Sequence, residues 1–325
     1  MTASAPDEHQ TINVKIARRV DEAEGIISLE LVAADGGALP AFEAGSHIEV
    51  DVTPDLIRHY SLANDPRETH RYLLGVLLDP KSRGGSAEVH RSFTVGRTIQ
   101  IKSPRNNFPL LETAERSILL AGGIGITPMM AMAHRLAALQ ADFTLHYCTR
   151  SRRRTAFLAA LRQAAFADRV VLHFDDEADA QKLNLPAVLG GPAPGKHVYI
   201  CGPEGFINFA VTGAKTAGFA AANIHIEYFS TTVDVSGDNF TVRAQRSGIT
   251  CVIPAGKPIS TVLIEHGVDV PLSCEQGVCG TCLTNVIEGI PDHRDYYLTD
   301  KEKAANQQMT LCCSRSKTPL LVLDI

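Results

Sequence analysis

Three cysteines fall within nine residues in "CEQGVCGTC" (274–282), and "LCCSRS" (311–316) supplies two more near the end of this 325-residue chain. Taking Cys312 as the fourth member, the spacing is C-x4-C-x2-C-x29-C. A structural zinc site pairs two C-x2-C knuckles, or one knuckle with histidines, and adjacent cysteines in the second half fit that poorly. The alternatives are unliganded thiols or a [2Fe–2S] cluster, in which one loop wraps three sulfurs and a distant segment adds the fourth. Gly277 and Gly280 suit such a loop, because they let the backbone turn tightly and aim N–H groups at sulfur. The spacing therefore predicts a [2Fe–2S] cluster. The eight cysteines then belong to a reducing compartment, where clustered cysteines bind metal more often than they form disulfides. Cys148 and Cys251 lie in apolar strand-like runs and read as core residues.

The flanks of the cluster agree. "NFTVRAQRSGITCVIPAG" (239–256) reads as a hairpin turning at "RSG", and "ISTVLIEHG" (259–267) as a short helix closed by glycine. Residues 238–325 resemble plant-type ferredoxin domains, whose α+β β-grasp fold runs hairpin, helix, three-cysteine loop and a late strand carrying the fourth cysteine. The resemblance implies Cys274, Cys279, Cys282 and Cys312 as ligands, because Cys312-Cys313-Ser314-Arg315 matches the family's C-x-S-R segment. Cys313 would then point the opposite way on the same extended strand, and it stays open as the alternative.

A ferredoxin needs about a third of this length, and the middle of the chain alternates apolar runs of strand length with helical segments. The strands are "RSILLAGG" (116–123), "DFTLHYCTR" (142–150), "RVVLHFDD" (169–176), "KHVYICGP" (196–203) and "IHIEYFS" (224–230). The helices are expected at 127–140, 155–166 and 204–218. That pattern predicts an α/β domain with a doubly wound parallel sheet, whose ligands bind at the carboxyl ends of the strands. Two turns sit at such ends, "GGIGITP" (122–128) and "CGPEGF" (201–206). Glycines there allow a pyrophosphate to approach the backbone and a helix N-terminus.

Together the two turns resemble the nucleotide site of the ferredoxin–NADP⁺ reductase superfamily. That resemblance implies Gly122, Gly123 and Gly125 along the pyrophosphate path, Thr127 and Cys201 where the nicotinamide meets its acceptor, and Gly202 and Pro203 among the cofactor-binding residues. Arg150 and Arg152–Arg154 follow the second strand, where the adenosine ribose is read. Arginines can accept a 2′-phosphate, so NADPH stays open, although the relatives of this kind use NADH.

A nicotinamide delivers two electrons and a [2Fe–2S] cluster takes one, so a flavin must stand between them. "RHYSLAND" (58–65) resembles the flavin strand of the same superfamily. The resemblance implies Arg58 at the flavin phosphate, Tyr60 along the ribityl chain and ring, and Ser61 near N5. It also implies Gly75 and Val76 in the flavin site, with Arg83, Gly84, Gly85 and Ser86 of "SRGGS" in a phosphate-binding turn. Short alternating runs before residue 110 fit an antiparallel β-barrel.

"RHYSL", "SRGGS", "PRNNFPL", "GGIGITP", "CGP", "CGTC", "DHRD" and "LVLDI" follow in the order seen in phthalate dioxygenase reductase and vanillate demethylase reductase, and the chain resembles that family over essentially its whole length. The expected multidomain arrangement is a flavin-binding barrel (1–110), an NAD-binding α/β domain (111–230), a linker (231–237) and a ferredoxin domain (238–325). The resemblance implies FMN, Phe229 against the flavin ring, and Ser61, Thr127, Cys201 and Phe229 around the reacting atoms. It implies a monomeric NADH-dependent reductase feeding a separate oxygenase, of Rieske type, that hydroxylates or demethylates an aromatic substrate. Two alternatives stand beside it, the reductase of a di-iron monooxygenase and a non-catalytic redox adaptor.

Composition excludes other classes. Net charge is −5 and no third of the chain is net basic, so nucleic acid has no electrostatic attraction here. The longest nearly apolar run, 118–133, is broken by glycines, Thr127 and Pro128 and is too short for a membrane span. "MTASAPDEHQ" shows no signal-peptide pattern, and a cytoplasmic protein is expected. Histidines 47, 59, 70, 90, 266 and 293 lack ligand spacing and read as surface or structural.

Overall fold

Alternating burial shapes the first hundred residues. In β1 (Thr11–Ala23) Val14 and Ile16 are buried between exposed neighbours, the two-residue period of a strand with one covered face. In the computed structural model, which describes residues 10–54, 56–80, 84–229 and 233–325, this strand joins β2 (Ile26–Ala33), β3 (Ser46–Thr53), β4 (Leu56–Ser61), β5 (Tyr72–Leu77), β6 (Thr98–Lys102) and β7 (Arg105–Asn106). Their order is β4-β3-β6-β1-β2-β5, with β7 on β3, and every pairing is antiparallel. The outer strands meet through a Leu62–Leu74 bridge, and Ala63 N–H donates to Leu73 O at 2.9 Å. The path therefore bends back on itself and leaves little open edge. Helix α1 (Gly85–Ser92) follows β5.

A parallel sheet comes next, from β8 (Arg116–Gly122), β9 (Phe143–Thr149), β10 (Val170–Phe174), β11 (Lys196–Cys201) and β12 (Ile224–Glu227), in the order β10-β9-β8-β11-β12. Successive residues of its central strands enter different cores. Leu119, Ala121, Tyr147 and Tyr199 face the cluster that contains Met129 and Met132 of α2 (Ile126–Ala138). Ile118, Leu120, Val198 and Ile200 face Leu185, Leu189, Ile207 and Ala210. Both faces are thus covered, as continuous apolar strands require. The remaining helices are α3 (Leu158–Gln163), α4 (Leu185–Leu189) and α5 (Glu204–Thr216). The sequence pattern missed α4, which is too short to show a helical period. Its local signal is an N-cap, Asn184 accepting from Ala187 N–H, with proline in the first turn.

The order reverses at β8, since the chain moves outward through β9 and β10 and returns to β11 on the other side. A crevice at such a reversal receives ligands. The antiparallel and parallel sheets also share one core, in which Val14, Leu31 and Leu74 join Leu119, Met129 and Tyr147.

By compactness the chain divides into two units, Met1–Phe229 and Ser230–Ile325. The second contains β13 (Phe240–Ala244), β14 (Ile249–Ile253), β15 (Leu283–Glu288), β16 (Pro291–Asp292), β17 (Gln308–Thr310), β18 (Arg315–Ser316) and β19 (Leu320–Leu323). The main sheet runs β14-β13-β19-β15-β17, with β13 and β19 parallel. Helix α6 (Ile259–Glu265) buries Ile259, Val262 and Leu263 in its core. Helix α7 (Asp300–Ala305), not expected from the sequence, starts at a reciprocal Thr299–Glu302 capping box. One expectation needs correction. Cys312 and Cys313 do not share an extended strand; β17 ends at Thr310 and both cysteines lie in the turn that follows. Ser314 N–H donates to Thr310 O at 3.2 Å and closes that turn. Among the described residues no helix is long and apolar enough to cross a membrane.

Candidate functional site

In the second unit the loop 274–282 gathers sulfur. Cys274 lies within hydrogen-bonding reach of both Cys279 and Cys312, and Cys312 also reaches Cys282. The loop can close this tightly because Gly277 and Gly280 have φ of 72° and 75°. A Cβ on Gly277 would fall 2.5 Å from Cys313 Sγ, and one on Gly280 would meet the Tyr297 ring at 2.3 Å. Backbone N–H groups of Gln276 and Thr281 donate to Cys274 Sγ and Cys279 Sγ at 3.3 and 3.5 Å, as thiolate ligands need. Shared hydrogen bonds among the thiols hold Cys274 and Cys282 low and push Cys279 and Cys312 up. Cys313 is also buried, but Thr310 Oγ1 lies 3.1 Å from its sulfur. Among the described residues no three His, Cys, Asp or Glu side chains converge on one metal ion. A two-iron cluster asks for four thiolates around a pair of irons, and the donors present fit that pattern.

In the first unit the two glycine-rich turns abut at the carboxyl ends of β8 and β11. A Cβ on Gly125 would lie 2.3 Å from Cys201 O, and one on Gly202 would lie 2.9 Å from Gly122 Cα. Pro203 and Phe206 pack over Gly122. Gly122 and Gly125 therefore serve the contact between the turns, while Gly123 faces open space at the start of a 3-10 turn leading into α2. Thr127, in the first turn of α2, donates to Ile124 O at 3.1 Å, and its methyl group occupies the space that a Gly75 side chain would need. That contact joins β5 to α2. Val76, next along β5, is buried and accepts from or donates to nothing through its side chain, but its carbonyl lies 3.0 Å from His90 Nε2.

On β4, Arg58 packs against the N-terminus of α1, where a Cβ on Gly85 would fall 2.5 Å from its Nε. Gly84 caps that helix in the left-handed conformation and without a side-chain bond. A guanidinium beside the positive end of a helix is a repulsive pairing that an anion between them would relieve, so the cradle fits a phosphate. Ser86 accepts from Asp79 N–H at 3.1 Å. Arg83 lies outside the described residues. Tyr60 precedes Ser61 at the end of β4, and burial pushes its hydroxyl up to about 12.

Sequence reasoning missed the residue that links these parts. Glu227, the last residue of β12, is half-buried and hydrogen-bonded to Ser61 from one sheet and to Cys201 from the other. The Cys201 Sγ to Glu227 Oε2 distance is 3.9 Å. Burial pushes the Glu227 carboxyl up to about 8 and the Cys201 thiol well above its usual range. An acid closing the apolar run "IHIEYFS" was the available signal. Phe229, two residues on, packs at the margin of the core that holds Cys201. Of the basic residues after β9, Arg152 pairs with Glu177 at 2.6 Å and stacks on Phe174, and Arg154 pairs with Glu24 at 3.2 Å. Arg150 is exposed.

Comparison with known proteins agrees with this geometry. Residues 242–317 match the 2Fe-2S iron-sulfur cluster binding domain, and residues 97–224 match the N-terminal domain of dimethylamine monooxygenase subunit DmmA-like proteins. The chain is 52% identical over 305 residues to a vanillate O-demethylase oxidoreductase of a Pseudomonas species, covering 93% of this chain and 96% of that one. The solved structure of phthalate dioxygenase reductase, described as passing electrons from pyridine nucleotides to [2Fe-2S], is 38% identical, with a TM-score of 0.74 over 97% of this chain and 98% of that one. An intact type IV self-sufficient cytochrome P450 monooxygenase is 33% identical, with a TM-score of 0.85 over all of this chain. The present chain spans 43% of that longer protein.

Proposed function

The chain belongs to the family of vanillate demethylase and phthalate dioxygenase reductases, and from that premise we propose that it carries electrons from NADH through FMN and a [2Fe–2S] cluster to a separate oxygenase of Rieske type. The observation that carries this reading is the meeting of Ser61, Glu227 and Cys201 where the antiparallel sheet touches the carboxyl ends of the parallel one. When bound, the nicotinamide, flavin and cluster supply the redox chemistry, two electrons entering together and leaving singly.

The residues divide that work. Arg58 with Gly84, Gly85 and Ser86 holds the flavin phosphate, a task suited to a guanidinium fork and the backbone N–H groups of a helix start; Arg83 is assigned there by family resemblance alone. Tyr60, Gly75 and Val76 flank the flavin, with Ser61 directed at its reactive edge and Phe229 against its ring. Gly122, Gly123, Gly125, Gly202 and Pro203 shape the nucleotide crevice, and Thr127 and Cys201 orient the nicotinamide. Glu227 keeps a proton at neutral pH, so it presents a neutral hydrogen-bonding group where a carboxylate would repel reduced cofactors. Cys274, Cys279, Cys282 and Cys312 hold the cluster. Engagement of Arg152 by Glu177 leaves it poorly placed for a 2′-phosphate and favours NADH over NADPH, with Arg150 facing the adenosine.

On this reading 1–110 is a flavin-binding barrel, 111–230 a doubly wound NAD-binding domain, 231–237 a linker and 238–325 a β-grasp ferredoxin, in a cytoplasmic monomer. Anaerobic titration with NADH tests it. Flavin bands should bleach first and cluster bands next, in the ratio of two electrons per NADH; a colourless purified protein without acid-labile sulfide would overturn it.

A further inference from the structure

The "DHRD" segment (292–295) and the three residues after it hold no cofactor, yet they run along the three-cysteine loop and touch it at both of its left-handed glycines. Tyr296 N–H donates to Gly277 O at 2.9 Å. Asp295 Cα and Cβ stand 3.1 and 3.3 Å from where a Gly277 Cβ would sit, and three carbons of the Tyr297 ring lie within 2.7 Å of where a Gly280 Cβ would sit. Each glycine adjoins an amide aimed at sulfur: Gln276 N–H donates to Cys274 Sγ, and Thr281 N–H to Cys279 Sγ. Glu275 also takes a positive φ, 54°, which a residue with a side chain adopts only where its surroundings impose it.

The segment that presses on the loop is itself fixed. Asp295, whose side chain is fully buried, accepts from Leu298 N–H at 2.7 Å through Oδ2. Its carbonyl accepts from Lys303 Nζ of α7, so the helix braces the turn. Arg294 N–H donates to Ser314 Oγ at 3.4 Å, and Leu298 is buried. Tyr297 stays 37% exposed; its ring serves the loop rather than the core.

We propose that Asp295 and Tyr297 are positioning residues for the cluster: they lock Gly277 and Gly280, keep the Gln276 and Thr281 amides aimed at sulfur, and so set the reduction potential. The proposal rests on the cluster reading above. The step served adds one electron to the oxidised cluster, with no bond made or broken, and leaves it more negative by one charge. N–H donors favour the more negative form, so loosening them lowers the potential. Admitting water would raise it, and the sign separates the two effects.

The test is a redox titration of the holoprotein followed by electron paramagnetic resonance, with hyperfine couplings of exchangeable protons to the reduced cluster measured on the same samples. Tyr297→Ala should weaken those couplings and shift the one-electron equilibrium about tenfold toward the oxidised form, about 59 mV lower. Tyr297→Phe keeps the ring and should match the wild type in both. Asp295→Asn retains an acceptor for Leu298 N–H and Asp295→Ala does not, although both lose the carboxylate. The alanine variant should therefore lie about tenfold below the asparagine variant, and this pair carries the test if Tyr297→Ala assembles no cluster. An unchanged or raised potential in Tyr297→Ala, a Tyr297→Phe as low as the alanine variant, or equal potentials in the Asp295 pair overturns the proposal while the reductase reading stands. Absence of a [2Fe–2S] signal from the reduced wild-type protein overturns the reading itself.

Discussion

Cys312 and Cys313 are adjacent and both buried, yet their sulfurs meet different company. Besides each other, Cys312 reaches Cys274 and Cys282, whereas Cys313 reaches only the hydroxyls of Thr310 and Ser314. Cys312→Ser should therefore abolish the cluster bands and acid-labile sulfide while NADH still bleaches the flavin. Cys313→Ser should keep the cluster, since a hydroxyl can replace the thiol among those hydroxyl partners; loss of iron in that variant would move the ligand to position 313. Glu227 supports a second prediction. Folded Glu227 keeps its proton up to about pH 8, while the unfolded chain releases it near the ordinary 4.5. The folded state then binds the extra proton between those values, so stability declines as pH climbs through that window. Glu227→Gln should remove this decline, by up to about 1.4 kcal/mol per unit of displacement, and a melting series from pH 5 to 9 would show it. The same variant should leave flavin reduction by NADH near the wild-type rate in rapid mixing, because an amide is likewise a neutral hydrogen-bonding group. Spacing made the cysteines legible, since sulfur chemistry depends on it. It left Glu227 dark, because an acid ending a strand ordinarily points to water, and only the arrival of Ser61 from another sheet encloses it.

At the scale of elements, the two glycine-rich turns are legible as strand-to-helix turns, but what each glycine does depends on a contact distant in sequence. Gly125→Ala would drive a methyl group into Cys201 O, backbone that cannot move aside, and should spread the turns. A loss of several kcal/mol in unfolding free energy and weak NADH reduction are expected. Gly123→Ala meets no atom and bears only the cost of a positive φ of 54°, about 1 kcal/mol. Equal damage from both would show that the turns do not rest on each other. Neighbouring strands hold another unforeseen feature. His146 on β9 and His173 on β10 stack with Nδ1 and Nε2 3.0 Å apart, and His197 on β11 and His225 on β12 do the same at 2.9 Å, with Tyr199 on His225. No spacing in one strand reveals a pair formed across two. Burial, then the partner imidazole, lowers His146 and His225 to about 4 from an ordinary 6.5, and Arg116 adds to the effect on His146. The unfolded chain takes up these protons first, so stability present above pH 6.5 is lost as pH falls toward 4. Urea midpoints should drop over that range, and His146→Gln should flatten the slope by keeping a neutral hydrogen-bonding group.

At the scale of the whole molecule, alternation showed that the early strands hide one face and that the middle strands hide two, but no pattern states which neighbour does the covering. The antiparallel sheet and the helix face of the parallel sheet turn out to cover each other. Fully buried Tyr147 and Phe157 lie in the same core as Ile16 and Leu29, Phe157 N–H donates to Glu22 at 3.1 Å, and Tyr199 OH accepts from Leu111 N–H at 2.9 Å. A chain cut after Leu110 would open that core, exposing several aromatic and aliphatic side chains worth about 1.5–3 kcal/mol each, against a total stability of about 5–15 kcal/mol. A chain cut after Phe229 leaves it intact, since the core around Val242 and Leu263 belongs to the second unit alone. Residues 1–229 should therefore melt cooperatively and still pass electrons from NADH to a small acceptor such as ferricyanide, while losing any support of an oxygenase. Residues 1–110 should not fold. A cooperative melt of the shorter piece would mean that the shared core contributes little, and that the first two sheets are separate domains joined only by the chain.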